Sequence, residues 1–300
     1  MHKHIFHVKK RLMPSAANIL QITILFFILA YDICPPYNLQ TMNTLTYLSR
    51  CIIRNIPQIT GYQHFSNAFI RRNGVVRTFE DARSGWKERA ITHTYHGRPQ
   101  LARLSDLLAQ TGSTACIVMQ HNRILPEGYF NDYTANPINT SFSVAKSITS
   151  TLIGIAQEEG AIHSIRESIG RYIPQYDVPG LRDITIAHLL QMCSGLQVIP
   201  AAWMSASVSP PLHKADTQKY LSRLSPPLCK WSSSSSGYYK YLWWGQQVDP
   251  HNFDYFALGA KGQFIYICPR KQAVIVRFGK QWGKTDWWPG VLKQIADSLD

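Results

Sequence analysis

Apolar and polar positions alternate along two pairs of segments in this 300-residue chain and recur at helical spacing along two others. Residues 114–119 and 124–130 read as strands around His121-Asn122-Arg123, because β-branched and aromatic runs bounded by turn formers favour a hairpin. Residues 264–268 and 273–278 repeat that arrangement across Pro269-Arg270-Lys271-Gln272. Val144, Ile148, Leu152 and Ile155 recur at near-helical spacing ahead of Gly160, which predicts a helix with one apolar face and a glycine stop. Residues 291–299 predict a terminal helix. Strands from both chain ends around a helical middle give an α+β fold with an antiparallel sheet and helices.

The first 36 residues follow a different pattern. Lys3, Lys9, Lys10 and Arg11 precede an apolar run over 19–31, interrupted by Gln21 and Thr23 and ended by Asp32 and Pro35-Pro36. A run of this length falls short of the roughly 20 residues of a spanning helix and suits the core of a signal peptide. The small-x-small cleavage pattern is poor, and Ile33 before Cys34 argues against a lipoprotein signal. Residues 1–36 therefore read as a cleaved signal or an uncleaved membrane anchor, with an upstream start or a buried helix as alternatives. The protein is expected at a membrane or exported, with the cytoplasm as the alternative. Residues 37–100, including Arg71-Arg72, read as a lead-in or linker, and 101–300 as the catalytic domain.

Charge adds one consideration. With 31 basic against 18 acidic residues the net charge is +13, which favours anionic partners such as membrane surfaces or nucleic acid. No helix-turn-helix, RNP-like or zinc-finger pattern accompanies the excess, so no nucleic-acid partner is expected and the Lys and Arg are read as solvated. The six cysteines, at 34, 51, 116, 193, 229 and 268, form no C-x-x-C pair. Cys116 and Cys268 lie in apolar strands and are expected as core thiols. His93-Thr94-Tyr95-His96 lacks the acidic partner and spacing of a zinc protease, so it reads as a loop, with no metal and no cofactor expected. A G-x-S-x-G elbow and a glycine-rich phosphate loop are both absent from the sequence.

Ser143-Val144-Ala145-Lys146 carries the candidate chemistry. Three residues apart at a helix start, a serine and a lysine share one face about 5–6 Å apart between Cβ atoms, so the amine can reach the hydroxyl. Burial against an apolar helix lowers a lysine's pKa enough to let it act as a base. Free N–H groups at the first turn suit an oxyanion. A second copy of the pattern, Ser84-Gly85-Trp86-Lys87, lacks an apolar helix behind it and reads as a loop coincidence.

Three ordered blocks extend the pattern. Thr140 to Ser147 is followed by Gly154-Ile155-Ala156 and Glu159-Gly160-Ala161-Ile162; next comes Ile184 to Leu196, and then Tyr241-Leu242-Trp243-Trp244-Gly245 with Phe256 to Tyr266. Together they resemble the β-lactamase-related serine hydrolases, a superfamily that includes class C β-lactamases, penicillin-binding carboxypeptidases, esterases and 6-aminohexanoate-dimer hydrolase. The resemblance implies that Ser143 is the acylated nucleophile and Lys146 its base, with the backbone N–H groups of Ser143 and Ala260 as the oxyanion hole. Gly259, Gly262 and Gln263 become candidates for substrate contact, and the partner is a small amide or ester. In place of the family's Lys-Thr-Gly stands Ala257-Leu258-Gly259, which points toward amide and ester hydrolases rather than resistance enzymes.

One family feature is missing. A Tyr-x-Asn motif, whose phenol completes the proton relay, has no counterpart here, and only 44 residues separate Leu196 from Tyr241. The chain reads as a family member truncated between about 197 and 240, where Ser225-Pro226-Pro227 and the Ser232 to Ser236 run form a biased loop. Tyr238, Tyr239 and Tyr241 are assigned to the approach to the Trp243 strand. Two readings follow: a serine hydrolase working through an acyl-enzyme, or an impaired or inactive relative, membrane-attached in one version, that keeps the fold without turnover.

The N-terminal reading has a direct check. The full chain is expected to sediment with membranes, and a version beginning at Asn43 to stay in the supernatant; if both remain soluble, residues 1–36 are no targeting element.

Overall fold

The computed structural model describes residues 58–64, 79–81, 85–125, 127–194, 237–249 and 251–299. The apolar run over 19–31, Arg71-Arg72, Ser84 and the 195–236 stretch, in which the tyrosine motif is missing, lie outside the described residues. Two compact units make up the chain, one joining residues 36–145 to 228–300 and the other joining 1–35 to 146–227. The strands are β1 (Glu80–Asp81), β2 (Ala90–Tyr95), β3 (Arg98–Arg103), β4 (Ser113–Gln120), β5 (Arg123–Ile124), β6 (Gly128–Tyr129), β7 (Gly237–Lys240), β8 (Trp243–Gln247), β9 (Phe253–Gly259), β10 (Gln263–Cys268) and β11 (Ala273–Gly279). The helices are α1 (Leu104–Gln110), α2 (Val144–Glu158), α3 (Ile186–Leu190) and α4 (Trp288–Asp297).

The first unit contains the sheet, ordered β1-β5-β4-β11-β10-β9-β8-β7 with β6 also paired to β4. Every pairing is antiparallel except β1 with β5. Cross-strand register puts Cys116 opposite Arg277 opposite Phe264, and Val118 opposite Ile275 opposite Tyr266, on one face. On that face Leu104, Leu107 and Leu108 of α1 and Trp288, Val291, Leu292, Ile295 and Ala296 of α4 complete the core. Their spacing by three and four residues is the apolar stripe of a helix lying on a sheet. Cys116 and Cys268 are core thiols as expected, both fully buried and free.

Three elements differ from the sequence reading. The strand expected over 124–130 divides into β5 and β6, and the register moves by one residue between Met119 opposite Ile124 and Cys116 opposite Gly128. The terminal helix begins at Trp288, with Pro289 in its first turn where a missing N–H costs nothing. Part of the expected lead-in, 85–100, is structured: Trp86 and Ile91 join the core, and β2 and β3 form a hairpin through His96 and Gly97. His93 thus lies in strand β2 instead of a loop, while His96 lies in the turn of the hairpin. Gln294 of α4 receives a bond from Thr92 N (3.0 Å) and donates one to Thr92 O (2.6 Å), tying the hairpin to the helix.

In the second unit the described residues are 146–194. Helix α2 ends as expected at Gly160, whose φ is +76°. Gly160 N bonds Gln157 O and Ala161 N bonds Ala156 O, the paired carbonyl caps that a left-handed glycine permits. The expected apolar face is corrected: Ile148 is 46% exposed, while Val144, Ser147, Ser150, Ile153 and Ala156 are buried. Thr149 is buried as well, so the buried face of α2 mixes small polar residues with Val144, Ile153 and Ala156. Ile162, Ile169, Ile173, Ile184, Ile186 and Leu190 are buried beyond the helix. Thr185 and His188 cap α3 reciprocally, His188 N donating to Thr185 Oγ1 and Thr185 N to His188 Nδ1, each at 3.2 Å.

Asp286 closes the β2–β3 turn, accepting from His96 N (2.9 Å) and Gly97 N (2.8 Å), and these N–H bonds hold its pKa below the usual carboxylate value. A depressed acid stabilises the fold above its unfolded pKa, and that contribution is lost as pH falls through the folded value. Asp286→Ala should therefore lower the melting temperature at pH 7, and the difference from the parent should close as pH falls below about 3.9. A pH-independent difference would show that the carboxylate charge is not what caps the turn.

Candidate active site

Ser143 enters α2 from a tight turn. Val144 N bonds Ser141 O (3.3 Å) and Ala145 N bonds Phe142 O (3.1 Å), so the chain is already winding before the first helical residue. Phe142 has φ +48°, a conformation that an aromatic side chain adopts only when its surroundings impose it. Thr140 N, bonded to Ile59 O at 2.8 Å, fixes the approach. Ser143 is half-buried, as is Lys146, three residues on in the first turn of α2. Burial lowers the Lys146 pKa below the ordinary lysine value, the direction a general base needs.

The end of β9 meets this turn. A Cβ added to Gly259 would overlap Ser141 O and stand 3.3 Å from Ser143 N, so only glycine lets the two backbones approach. Directly after it, Ala260–Gly262 forms a 3₁₀ turn in which Lys261 has φ +64° and Gly262 +77°. Sequence separation thus hides a close approach of the Gly259-Ala260 backbone to the nucleophile turn.

Gly262 and Gln263 are placed differently. Gln263 is 1% exposed, its Nε2 donating to Gly279 O (2.6 Å) and its Oε1 accepting from Gly279 N (3.2 Å). Gly262 presents its carbonyl to the Arg277 guanidinium. Sequence reading missed Arg277, although a signal was available: it falls in phase with the buried positions Ala273 and Ile275 of an alternating strand. It missed Phe142 as well, because nothing in the sequence marks a left-handed phenylalanine.

The phenols near Trp243 are also located. Tyr238 pairs with Gly245, which pairs with Tyr255, four residues before Gly259. At about 3.4 Å per residue and about 4.8 Å per strand, Tyr238 stands roughly 17 Å from Gly259 along the sheet. Its ring covers Gly245 and lies 5.4 Å from Phe253. Tyr239 points to the opposite face and packs 4.7 Å from Trp244. Tyr241, with φ +51° at the β7–β8 turn, falls at the Gly259 end of the sheet, with Lys240 Nζ 4.9 Å from its ring centre. Among the described residues no group of His, Cys, Asp and Glu could hold a metal ion.

Residues 102–242 match the family model named Beta-lactamase. This stretch belongs to the beta-lactamase family. It contains Ser143, Lys146 and the Thr185-Ile186 block and ends at Leu242, before Gly259. Among solved structures, a candidate 6-aminohexanoate-dimer hydrolase from Bacillus anthracis is 15% identical, with 73% of this chain and 86% of that chain covered and a TM-score of 0.50. A class C β-lactamase from Rhodobacter sphaeroides is 9% identical over 64% of this chain and 97% of that one, with a TM-score of 0.41. At 15% identity the first likeness is one of fold. No curated protein matches the sequence.

The approach at Gly259 can be measured. Gly259→Ala should cost about 1–3 kcal/mol in denaturant unfolding, since backbone must move to admit the methyl. Gly154→Ala in α2, where an added Cβ meets nothing within 4 Å, should instead stabilise by up to about 1 kcal/mol. Equal effects at the two sites would contradict the close packing.

Proposed function

We propose that this protein is a serine hydrolase that cleaves a small amide or ester through an acyl-enzyme on Ser143. Membership of a serine hydrolase family supports the general activity. The observation that carries the finer reading is the packing of Gly259 against Ser141 and Ser143, which brings the Ala260 turn beside the serine. Lys146 takes the Ser143 proton as Oγ attacks the carbonyl carbon. The N–H groups of Ser143 and Ala260 receive the developing oxyanion, each worth roughly 3 kcal/mol where such donors have been removed. Collapse expels the leaving group, and water then releases the acyl group from Ser143.

A second reading, a relative that binds without turnover, is favoured by one observation. Tyr238 and Tyr239 are held away from Gly259, which weighs against either of them acting as the relay phenol. General acid–base assistance is typically worth 10²–10⁴-fold, and a poor leaving amine depends on it more than a nitrophenolate does.

A fluorophosphonate should label Ser143 and lose that label in Ser143→Ala. Labelling should rise with pH along a limb whose apparent pKa lies below about 10.4, and Lys146→Ala should abolish the limb. Nitrophenyl ester hydrolysis should be detectable and amide hydrolysis near background. Label at another serine would end the Ser143 assignment, and robust amide hydrolysis would show that another group supplies the proton.

A further inference from the structure

Behind the Ala260 turn lies a buried cation. Arg277 projects from β11 onto the core face and is fully buried. Its Nε donates to Ser113 Oγ (2.9 Å), Nη1 to Gly262 O, and Nη2 to Thr111 O (3.2 Å) and Gln281 O (3.3 Å). The guanidinium lies 3.8 Å from the centre of the Trp288 ring. A Cβ at Gly262 would overlap Nη1, and one at Gly279 would stand 2.6 Å from it, so two glycines make room for the group. Among the described residues no carboxylate pairs with it. Every bond but the one to Gly262 anchors the guanidinium to the end of α1, the β4 start or the segment after β11; the remaining bond reaches forward to the turn.

We infer that Arg277 is a positioning residue, which by holding the Gly262 carbonyl sets the plane of the Ala260–Gly262 turn and so aims the Ala260 N–H at the oxyanion. The inference rests on the hydrolase reading above. A planar fork of five donors serves this purpose because it bonds carbonyls from three separate segments at once, which an ammonium on a flexible stem does not. Gln263, bonded at both ends of its amide to Gly279, holds the other side of the same turn. Lys261 at φ +64° is the strained residue that these two side chains keep in place.

Arg277→Lys retains the charge and loses the fork, and Ser113→Ala removes a single anchor should Arg277→Lys fail to fold. Two measurements apply to each: nitrophenyl ester kinetics with fluorophosphonate labelling, and amide hydrogen exchange over 260–263 compared with 264–268. Arg277→Lys is expected to lower kcat and the labelling rate about 100-fold with KM nearly unchanged, and Ser113→Ala to lower them less. Exchange over 260–263 should speed up about tenfold while 264–268 stays protected. Guanidinium ion at millimolar concentration should restore part of the labelling rate to Arg277→Ala and none to Ser143→Ala. A folded Arg277→Lys that labels at the parent rate with unchanged exchange would overturn the proposal. If the parent protein itself takes no label at Ser143, the hydrolase reading fails, and the exchange experiment still decides whether Arg277 holds the turn.

Discussion

A guanidinium without a counter-charge inside the sheet is the constraint from which much of the first unit follows. Burying an ion costs several kcal/mol even after relaxation, and burial brings the Arg277 pKa down to about 9, so at neutral pH the group stays charged. The neighbouring Cys116 thiol offers no compensation, its own pKa raised to about 12 by the same burial. Compensation comes from carbonyl oxygens, one hydroxyl and the face of Trp288. Those partners belong to the end of α1, the start of β4, the turn before β10 and the segment after β11. Each must be in place for the charge to be tolerated, so the penalty of a misplaced loop is an unsatisfied cation. A leucine at 277 would have filled the core without binding these segments to one another.

Four of the eleven non-glycine residues with positive φ among the described residues lie where that network ends. Phe142, Tyr241, Leu242 and Lys261 all have positive φ, and register places the β7–β8 turn and the β9–β10 turn at one end of the sheet. Asn or Gly would occupy such positions at little cost, whereas aromatic and long side chains do so at roughly 1–3 kcal/mol each. Leu242 is 2% exposed, so burial offsets its share. For Phe142 and Lys261 the offset is the fixed backbone on either side. Strained residues flanking a candidate nucleophile and a candidate oxyanion donor are what a preformed site requires, since donors that need no rearrangement stabilise a developing charge most effectively.

How much of this was legible in the sequence depended on the range of the interaction. Alternation identified β10 and β11 and their connecting turn, because period two and a proline-led turn are local properties. The Gly160 stop and the Ser143-Lys146 pair were equally local. Helix α2 shows the limit: its aliphatic residues gave a clear periodic stripe, yet Ile148 is exposed and Ser147, Thr149 and Ser150 are buried, because tertiary packing, which periodicity does not encode, decides which face is covered. The part of the lead-in over 85–100 was unreadable for another reason. β3 is exposed along most of its length, so it has no apolar pattern to detect, and the hairpin it forms with β2 is tied down by Asp286 and Gln294, 189 to 202 residues away. Gly262 and Gln263 were recognisable as special positions, but their partners, Arg277 and Gly279, are set only by strand register.

The same distinction of range separates the parts of the candidate chemistry. A candidate nucleophile and base three residues apart are brought together by local winding, although the turn that carries Ser143 is also held through Thr140 and Ile59. On the proposed reading the oxyanion donor at Ala260 needs the sheet, Gly259 and the Arg277 network, all of which lie within one unit. A relay phenol would have to come from a third region, and β7 does not bring Tyr238 or Tyr239 to the place. On the proposed reading, loss of the phenol alone leaves attack on a carbonyl supported, because the base and the donors act on the serine and the oxyanion. Lys146 holds the Ser143 proton, but without the phenol nothing relays it to the departing atom. Leaving groups that depart as stable anions do not need that proton, whereas amines do, so on the proposed reading the missing phenol narrows the substrate range toward esters before it abolishes chemistry.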